Sequence, residues 1–253
     1  MTHVWTRGMV RVDAAGTTAL ITFDRAEKLN AMDRAFWLDI REALEWIGSD
    51  GSFRVIVFTG AGDKAFSVGG DIASFVALQT AEARRDFQVD AMTTFEAVAE
   101  CPVPTIAAVN GFALGGGCEI AMACDMILAS RDAVFGMPEA RFGLVPGYGV
   151  LRAPALIGSQ MSKLMIFAGE RLSSDEALRC GLAQKLFDPD ALMEESLRIA
   201  AAIGEASPQA IAAGKALMQL PTAADAIAKS VDVISELHGT PASRDAVARF
   251  LTS

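Results

Sequence analysis

The chain has 253 residues, of which 52% are hydrophobic and 21% charged. A chain this long and this apolar can bury a core large enough to offset its ordering entropy, which excludes disorder, and its 22 glycines and 9 prolines follow no period, which excludes a collagen-like or low-complexity chain. The balance of 31 acidic against 22 basic residues, a net −9, has the wrong sign for binding the phosphates of a nucleic acid.

Only two histidines occur, His3 and His238, each near a terminus, so neither a histidine triad nor a histidine-rich metal site is expected. Cys101, Cys118, Cys124 and Cys180 lack CxxC spacing, and no apolar leader opens the sequence. The expectation is a soluble cytoplasmic protein with reduced thiols. The longest uncharged stretch, Cys101 to Cys118, is interrupted by Pro102, Pro104, Asn110 and glycines, so no membrane span is expected.

In chain order, Met9 to Phe23 alternates and turns at Ala14-Ala15-Gly16, predicting a hairpin with strands near 9–13 and 17–23. Asp24 to Lys28 reads as a polar loop. Phe36, Trp37, Ile40, Leu44 and Ile47 recur at helical spacing behind Asp33, a suitable N-cap. Val55 to Thr59 reads as a buried strand, and Lys64 to Ile72 as a loop. Residues 80–100 read as a helix with Phe87, Met92, Phe95 and Val98 inward, ended by Pro102 and Pro104. Thr105 to Val109 reads as a strand that runs into a glycine-rich turn and then an apolar helix to about Cys124. Short strands follow at 126–129 and 133–135.

Beyond Gly158 the pattern becomes mostly helical. Ser173-Ser174-Asp175-Glu176 is a capping box with Gly181 as its stop, and Ser207-Pro208 opens a further helix. The repeated order of strand, glycine-rich loop and helix predicts an α/β fold with loops lining a site. Residues 1–190 form its core and residues 191–253 an all-helical region.

Two glycine turns carry the chemistry. Gly115-Gly116-Gly117-Cys118-Glu119 joins a strand to a helix, where unpaired amides and the positive helix end suit a phosphate or a developing oxyanion; a tight packing turn is the alternative. Ser67-Val68-Gly69-Gly70-Asp71 also follows a strand. Together, the two turns can aim two N–H donors at one point, each typically worth about 3–4 kcal/mol in a transition state. Neither GxxxxGK[ST] nor a Rossmann GxGxxG is present. Glu119 and Glu139 both sit in apolar surroundings, as a helix cap and a surface residue or, jointly, as an acid/base pair around one water.

Four segments carry a resemblance. They are Glu27-Lys28-Leu29-Asn30-Ala31-Met32, Ala65-Phe66-Ser67-Val68-Gly69-Gly70-Asp71-Ile72, Pro104 through Glu119, and Phe135-Gly136-Met137-Pro138-Glu139 through Gly147. In this order they resemble the enoyl-CoA hydratase/isomerase (crotonase) superfamily, over roughly Thr18 to Phe187. The resemblance implies a spiral of ββα units with a C-terminal helical trimerisation region, assembled as a homotrimer or dimer of trimers. It implies an acyl-CoA substrate, no metal, and no cofactor beyond the coenzyme A of the substrate. By position, Gly70 and Gly116 match the oxyanion donors, Glu119 the residue that activates water, Glu139 the residue that exchanges the C2 proton, and Gly147 a water-holding amide. Lys28, Ala31, Ser67, Asp71, Ile72 and Tyr148 fall on segments that match substrate-binding loops. Lys28 and Arg25 lie on the loop that approaches the nucleotide end of CoA, unless they are ordinary solvated charges.

Having both acids favours hydration of a 2-enoyl-CoA over double-bond isomerisation or C–C cleavage; a non-catalytic acyl-CoA-binding or RNA-binding subunit is the remaining alternative. One departure stands out. After Pro146, many hydratases have a glycine-rich run and then Thr-Gln-Arg-Leu. Here Gly147-Tyr148-Gly149-Val150-Leu151-Arg152 is one residue shorter, and Tyr148 is the only tyrosine. Tyr148 is a substrate-shaping group, a hydrogen-bond donor or packing.

Overall fold

The computed structural model describes residues 1–218 and Pro241; the expected helical tail beyond Met218 otherwise lies outside the described residues. The strands are β1 (Thr2–Arg7), β2 (Val10–Ala15), β3 (Thr18–Phe23), β4 (Val55–Gly60), β5 (Ala65–Ser67), β6 (Thr105–Val109), β7 (Phe112–Leu114), β8 (Met126–Ser130), β9 (Val134–Gly136), β10 (Arg171–Ser173) and β11 (Lys185–Phe187). The helices are α1 (Arg34–Asp50), α2 (Ile72–Phe75), α3 (Ala81–Ala99), α4 (Gly116–Ala123), α5 (Gly149–Ile157), α6 (Ser159–Phe167), α7 (Ser174–Cys180), α8 (Leu192–Gly204) and α9 (Pro208–Met218).

A seven-stranded sheet has the order β1-β2-β3-β4-β6-β8-β11, and a four-stranded sheet the order β10-β9-β7-β5. Consecutive strands thus alternate between sheets: β4 then β5, β6 then β7, β8 then β9, each pair followed by helix. Every turn of the chain gives one strand to each layer, which is a ββα spiral. In the large sheet β3, β4, β6, β8 and β11 run parallel, with β1 and β2 added antiparallel.

The uninterrupted apolar strands are explained by burial on both faces. Side chains alternate across a sheet. Ile56, Phe58, Ala107 and Val109 enter the main core with Phe36, Trp37 and Phe95, whereas Val55, Val57, Ile106 and Ala108 face Leu192 and Ala200 of α8. The helical region after residue 190 therefore begins by covering the outer face of the large sheet. On α1, Asp33 accepts from the Phe36 amide as N-cap, and Phe36, Trp37, Ile40, Leu44 and Ile47 are all buried, matching their spacing. Ser173 and Glu176 make both bonds of the capping box on α7, and Gly181 closes it at φ +85°.

Several local expectations need correction. The amino-terminal segment is a strand, β1, and the hairpin strands start one residue later than expected. Within β1, Trp5 stacks on Trp46 at 6.4 Å, a contact from outside the segment that no local alternation foretells. Lys64 to Ile72 is not all loop, since it holds β5 and the first residue of α2, and β7 lies inside the glycine-rich turn. Met92 on α3 is half-buried and packs against the main core as expected, with its sulfur under Gly147.

Candidate active site

The small sheet assembles the site. Its strands β5, β7 and β9 are neighbours and parallel, pairing Ser67 with Ala113 and Leu114 with Gly136. Parallel neighbours lie about 4.8 Å apart and end on the same side. The chain leaves β5 into Gly69-Gly70, β7 into Gly115-Gly116, and β9 into Pro138-Glu139. Three segments distant in sequence therefore arrive together at the carboxyl ends of parallel strands, the usual place for a ligand in α/β folds.

The two glycine turns touch. Gly69 has φ +83°, and a Cβ there would stand 2.7 Å from both the Gly116 amide nitrogen and the Leu114 carbonyl oxygen. Only glycine permits both that conformation and that approach. The Met32 amide donates to the Gly69 carbonyl, and the Asp71 amide donates to the Met32 carbonyl, each at 2.8 Å. In an extended segment the intervening Gly70 amide points the other way, and it donates to no group among the described residues. Gly116 is the first residue of α4, so its amide has no partner within the helix, and it too donates to none of the described groups.

Both acids adjoin Gly115. The Glu119 amide donates to the Gly115 carbonyl at 3.0 Å, and Glu139 Oε1 stands 2.9 Å from where a Gly115 Cβ would be. The buried Glu119 carboxylate accepts from the amides of Tyr148 (2.8 Å) and Gly149 (2.7 Å). Burial raises its pKa, and the two amides partly counteract this. Glu139 Oε2 is buried without a hydrogen-bond partner. Burial is the main cause that lifts the Glu139 pKa to about 7, with the negative charge of Glu119 adding to it. The two groups thus form an electrostatically coupled pair next to two unengaged amides.

The remaining expected residues divide. Gly147 and Tyr148 lie at the turn beside Glu119, with Met92 Sδ 3.1 Å from where a Gly147 Cβ would be. Ile72 is 55% exposed beside Gly70. Ser67 is fully buried: its hydroxyl donates to the Asn30 carbonyl at 2.7 Å and accepts from the Gly69 amide at 3.1 Å, so its side chain braces the turn. Ala31 is buried, and its carbonyl accepts from Arg25 at 3.0 Å. Asp71 caps α2 through the Ala73 amide and receives Arg25 Nη2 at 3.1 Å and Lys28 Nζ at 3.4 Å. Desolvation works to raise the Asp71 pKa, but the Lys28 and Ala73 hydrogen bonds and both cations outweigh it, and the net shift is downward. Arg25 is corrected: only 7% exposed, it is an internal brace, because its Nη1 donates to the Ala31 carbonyl and its Nη2 pairs with Asp71, while its buried Nε has no partner among the described residues. Lys28, with half of its side chain exposed, remains open to a ligand.

Several contributors escape a reading of the sequence. Asn30, at φ +57°, ties Ala61 and Ala65 through its side-chain amide; its residue type tolerates that backbone region, which is the one available signal. Trp37 reaches from α1 to Gly116, its ring 3.0 Å from where a Cβ would be. Among the described residues no group of three or more His, Cys, Asp or Glu could hold a metal ion, and no helix is long and apolar enough to cross a membrane.

A family model described as enoyl-CoA hydratase/isomerase matches residues 13–252. The chain is 35% identical to a short-chain-enoyl-CoA hydratase of Clostridium acetobutylicum, covering 96% of this chain and 94% of that protein. It is 38% identical to a crotonyl-CoA hydratase of Syntrophomonas wolfei, covering 78% and 76%. Its structure matches that of an enoyl-CoA hydratase from Bacillus anthracis with a TM-score of 0.92 at 30% identity, covering 97% and 96%.

Proposed function

The chain belongs to the enoyl-CoA hydratase/isomerase family, and from that premise we propose that it is a hydro-lyase that reversibly adds water across the 2,3 double bond of an enoyl-CoA. The observation that carries this reading is the coupled pair Glu119 and Glu139 beside the unengaged amides of Gly70 and Gly116.

In the hydration direction, the ionised Glu119 takes a proton from water as the water oxygen bonds to C3. The π electrons of the double bond move toward the thioester, whose oxygen gains negative charge. The amides of Gly70 and Gly116 receive that charge with no reorganisation at the moment of reaction. Protonated Glu139 delivers its proton to C2. One acid gains a proton as the other loses one, so net charge is conserved and proton exchange with solvent resets the pair. The turn at Gly147 helps to hold the water, while the amides of Tyr148 and Gly149 favour the ionised form of Glu119 against its burial.

Coenzyme A enters as part of the substrate, and the reaction uses no other cofactor. Lys28 meets its anionic end, and the backbone of the loop through Gly70, Asp71 and Ile72 lines its path. A homotrimer or dimer of trimers in the cytoplasm completes the reading, with residues 191–253 as the assembly region. Exposed Phe142, Leu144, Val145 and Phe167 support association, and the four free cysteines support a reducing compartment. The direct test follows the conjugated thioester absorbance of crotonyl-CoA on addition of purified protein. Loss of absorbance with formation of 3-hydroxybutyryl-CoA is expected; a protein that binds the thioester and leaves it intact refutes the reading.

A further inference from the structure

Tyr148 has two neighbourhoods. Its backbone amide holds Glu119 in the catalytic site. Its ring packs on Phe95 with centroids 5.4 Å apart, and Phe95 packs on Trp37, also at 5.4 Å. Trp37 in turn reaches Gly116. These three rings form a continuous wall from α1 through α3 to the turn before α5, running behind both the oxyanion amide and the base. Tyr148 also lines a cavity of about 500 Å³ between the end of α3 and α9, whose lining includes neither Glu119 nor Glu139. The cavity walls include Ala99, Pro102, Ala212 and Ala216. Of its charged neighbours, Lys215 is paired with Asp125 at 2.8 Å, and Glu96 and Glu100 are exposed to solvent. An apolar tail can therefore lie against the alanines without stripping a charge of water.

We propose that the Tyr148 side chain is the end wall of the acyl site, limiting the enzyme to short 2-enoyl groups, and that the cavity behind it is a continuation this residue closes off. The proposal rests on the hydration reading above and adds the residue that sets its chain length. The reacting C2 and C3 lie between Glu119 and Glu139, so the rest of the acyl group extends past the residues that hold Glu119. The ring at that turn is Tyr148. Each methylene that finds an apolar berth improves binding about fourfold, and one that meets a wall gains nothing.

The test measures kcat and KM for crotonyl-, hexenoyl-, octenoyl- and decenoyl-CoA with the wild type, Tyr148→Phe, Tyr148→Ala, and Tyr148→Ala combined with Ala99→Leu. In the wild type, kcat/KM should not rise from crotonyl- to octenoyl-CoA, since the added methylenes meet the wall and gain nothing. Tyr148→Phe should keep that profile, since the ring and not the hydroxyl forms the wall. Tyr148→Ala should raise the octenoyl-to-crotonyl ratio about tenfold or more, chiefly through KM, and Ala99→Leu should cancel the gain by refilling the cavity. Should Tyr148→Ala not fold, Tyr148→Val gives the same comparison. A ratio that stays constant across the variants, or a gain that Ala99→Leu leaves untouched, overturns the proposal while leaving hydration intact. Absence of hydration at every length in the wild type overturns both readings.

Discussion

Glu119 and Glu139 meet at Gly115 with unequal support: two amides donate to the carboxylate of Glu119, while Glu139 keeps one buried oxygen with no partner. Hydrogen bonds to the charged form favour ionisation, and burial without them favours the proton. This inequality divides two chemically identical side chains into a base and an acid. Burial lifts the Glu139 carboxyl to about 7, and the charge of Glu119 adds to that push.

Removing either carboxylate tests that division. General acid and base groups each contribute typically about 10²–10⁴ in rate. Glu119→Gln and Glu139→Gln should each lower kcat for crotonyl-CoA hydration by about that factor, with KM changed only a few-fold and circular dichroism unchanged. Because the two act in one event, the double variant should be little worse than either single one. Near wild-type turnover in either single variant sinks the assignment.

The pH profile follows from the same pair. Hydration needs Glu139 protonated, so kcat/KM in that direction should decline as pH rises through about 7, where its carboxyl ionises. It needs Glu119 ionised, so activity should also decline as pH falls through the Glu119 pKa, itself raised by burial. The reverse reaction needs the opposite protonation states. A hydration rate that climbs steadily from pH 6 to pH 9 contradicts the acid role of Glu139.

Stability should carry the same signature. The Glu139 pKa is about 7 in the folded chain against 4.5 for the free side chain, so the folded state binds more protons between those values. The folded state is therefore favoured below the lower value, and that advantage is lost as pH rises through 7. Comparing wild type with Glu139→Gln in urea isolates the effect. The variant should gain on the order of 2 kcal/mol relative to wild type between pH 5 and pH 8. A constant difference across that range means that the buried oxygen is not strained by its charge.

What the sequence made legible tracks the length of each element. The seventeen-residue α1 shows its face through Phe36, Trp37, Ile40, Leu44 and Ile47, because many residues repeat one period. The strands β5, β7 and β9 have three residues each, too few for any period, and they exist because they pair with one another. The glycine turns, Glu119 and Glu139 were legible as residue types in order. Their meeting was not, since it depends on the parallel small sheet. The partners of Glu119, Tyr148 and Gly149, stand 29 and 30 residues away from it in the chain. Arg25 shows the limit most clearly: on the sequence it is one more polar-loop cation, and only the approach of Asp71 turns it into a buried brace.

Gly69 offers a test of how close the two glycine turns must be. Gly69→Ala faces a strained backbone at φ +83° and a Cβ 2.7 Å from the Gly116 nitrogen. Gly51→Ala, at φ +69°, meets nothing within 4 Å and carries the strain alone. Gly51→Ala should cost about 1–2 kcal/mol of stability and keep the kcat of the wild type. Gly69→Ala should cost more and, by pushing the two amides apart, lower kcat about 10²-fold or more. Equal kcat in the two variants shows that the contact does not position the amides.

Arg25 and Lys28 both reach Asp71, yet their substitution should have opposite consequences. Arg25 is buried, and removing it leaves Asp71 with only the partly exposed Lys28 as a counter-ion and the Ala31 carbonyl without its donor. Breaking a buried pair in this way typically costs about 3–5 kcal/mol. Arg25→Ala should therefore lower the Tm by several degrees and lower activity through loss of folded protein. The Lys28 ammonium is half in water, and a surface ion pair of this kind is worth at most about 1 kcal/mol. Lys28→Ala should leave the Tm nearly unchanged. If the ammonium meets the anionic end of coenzyme A, it should raise KM a few-fold with kcat preserved, and added salt should shrink the difference from wild type. A stability loss on Lys28→Ala, or a pure KM effect on Arg25→Ala, would reverse the roles assigned to these two cations.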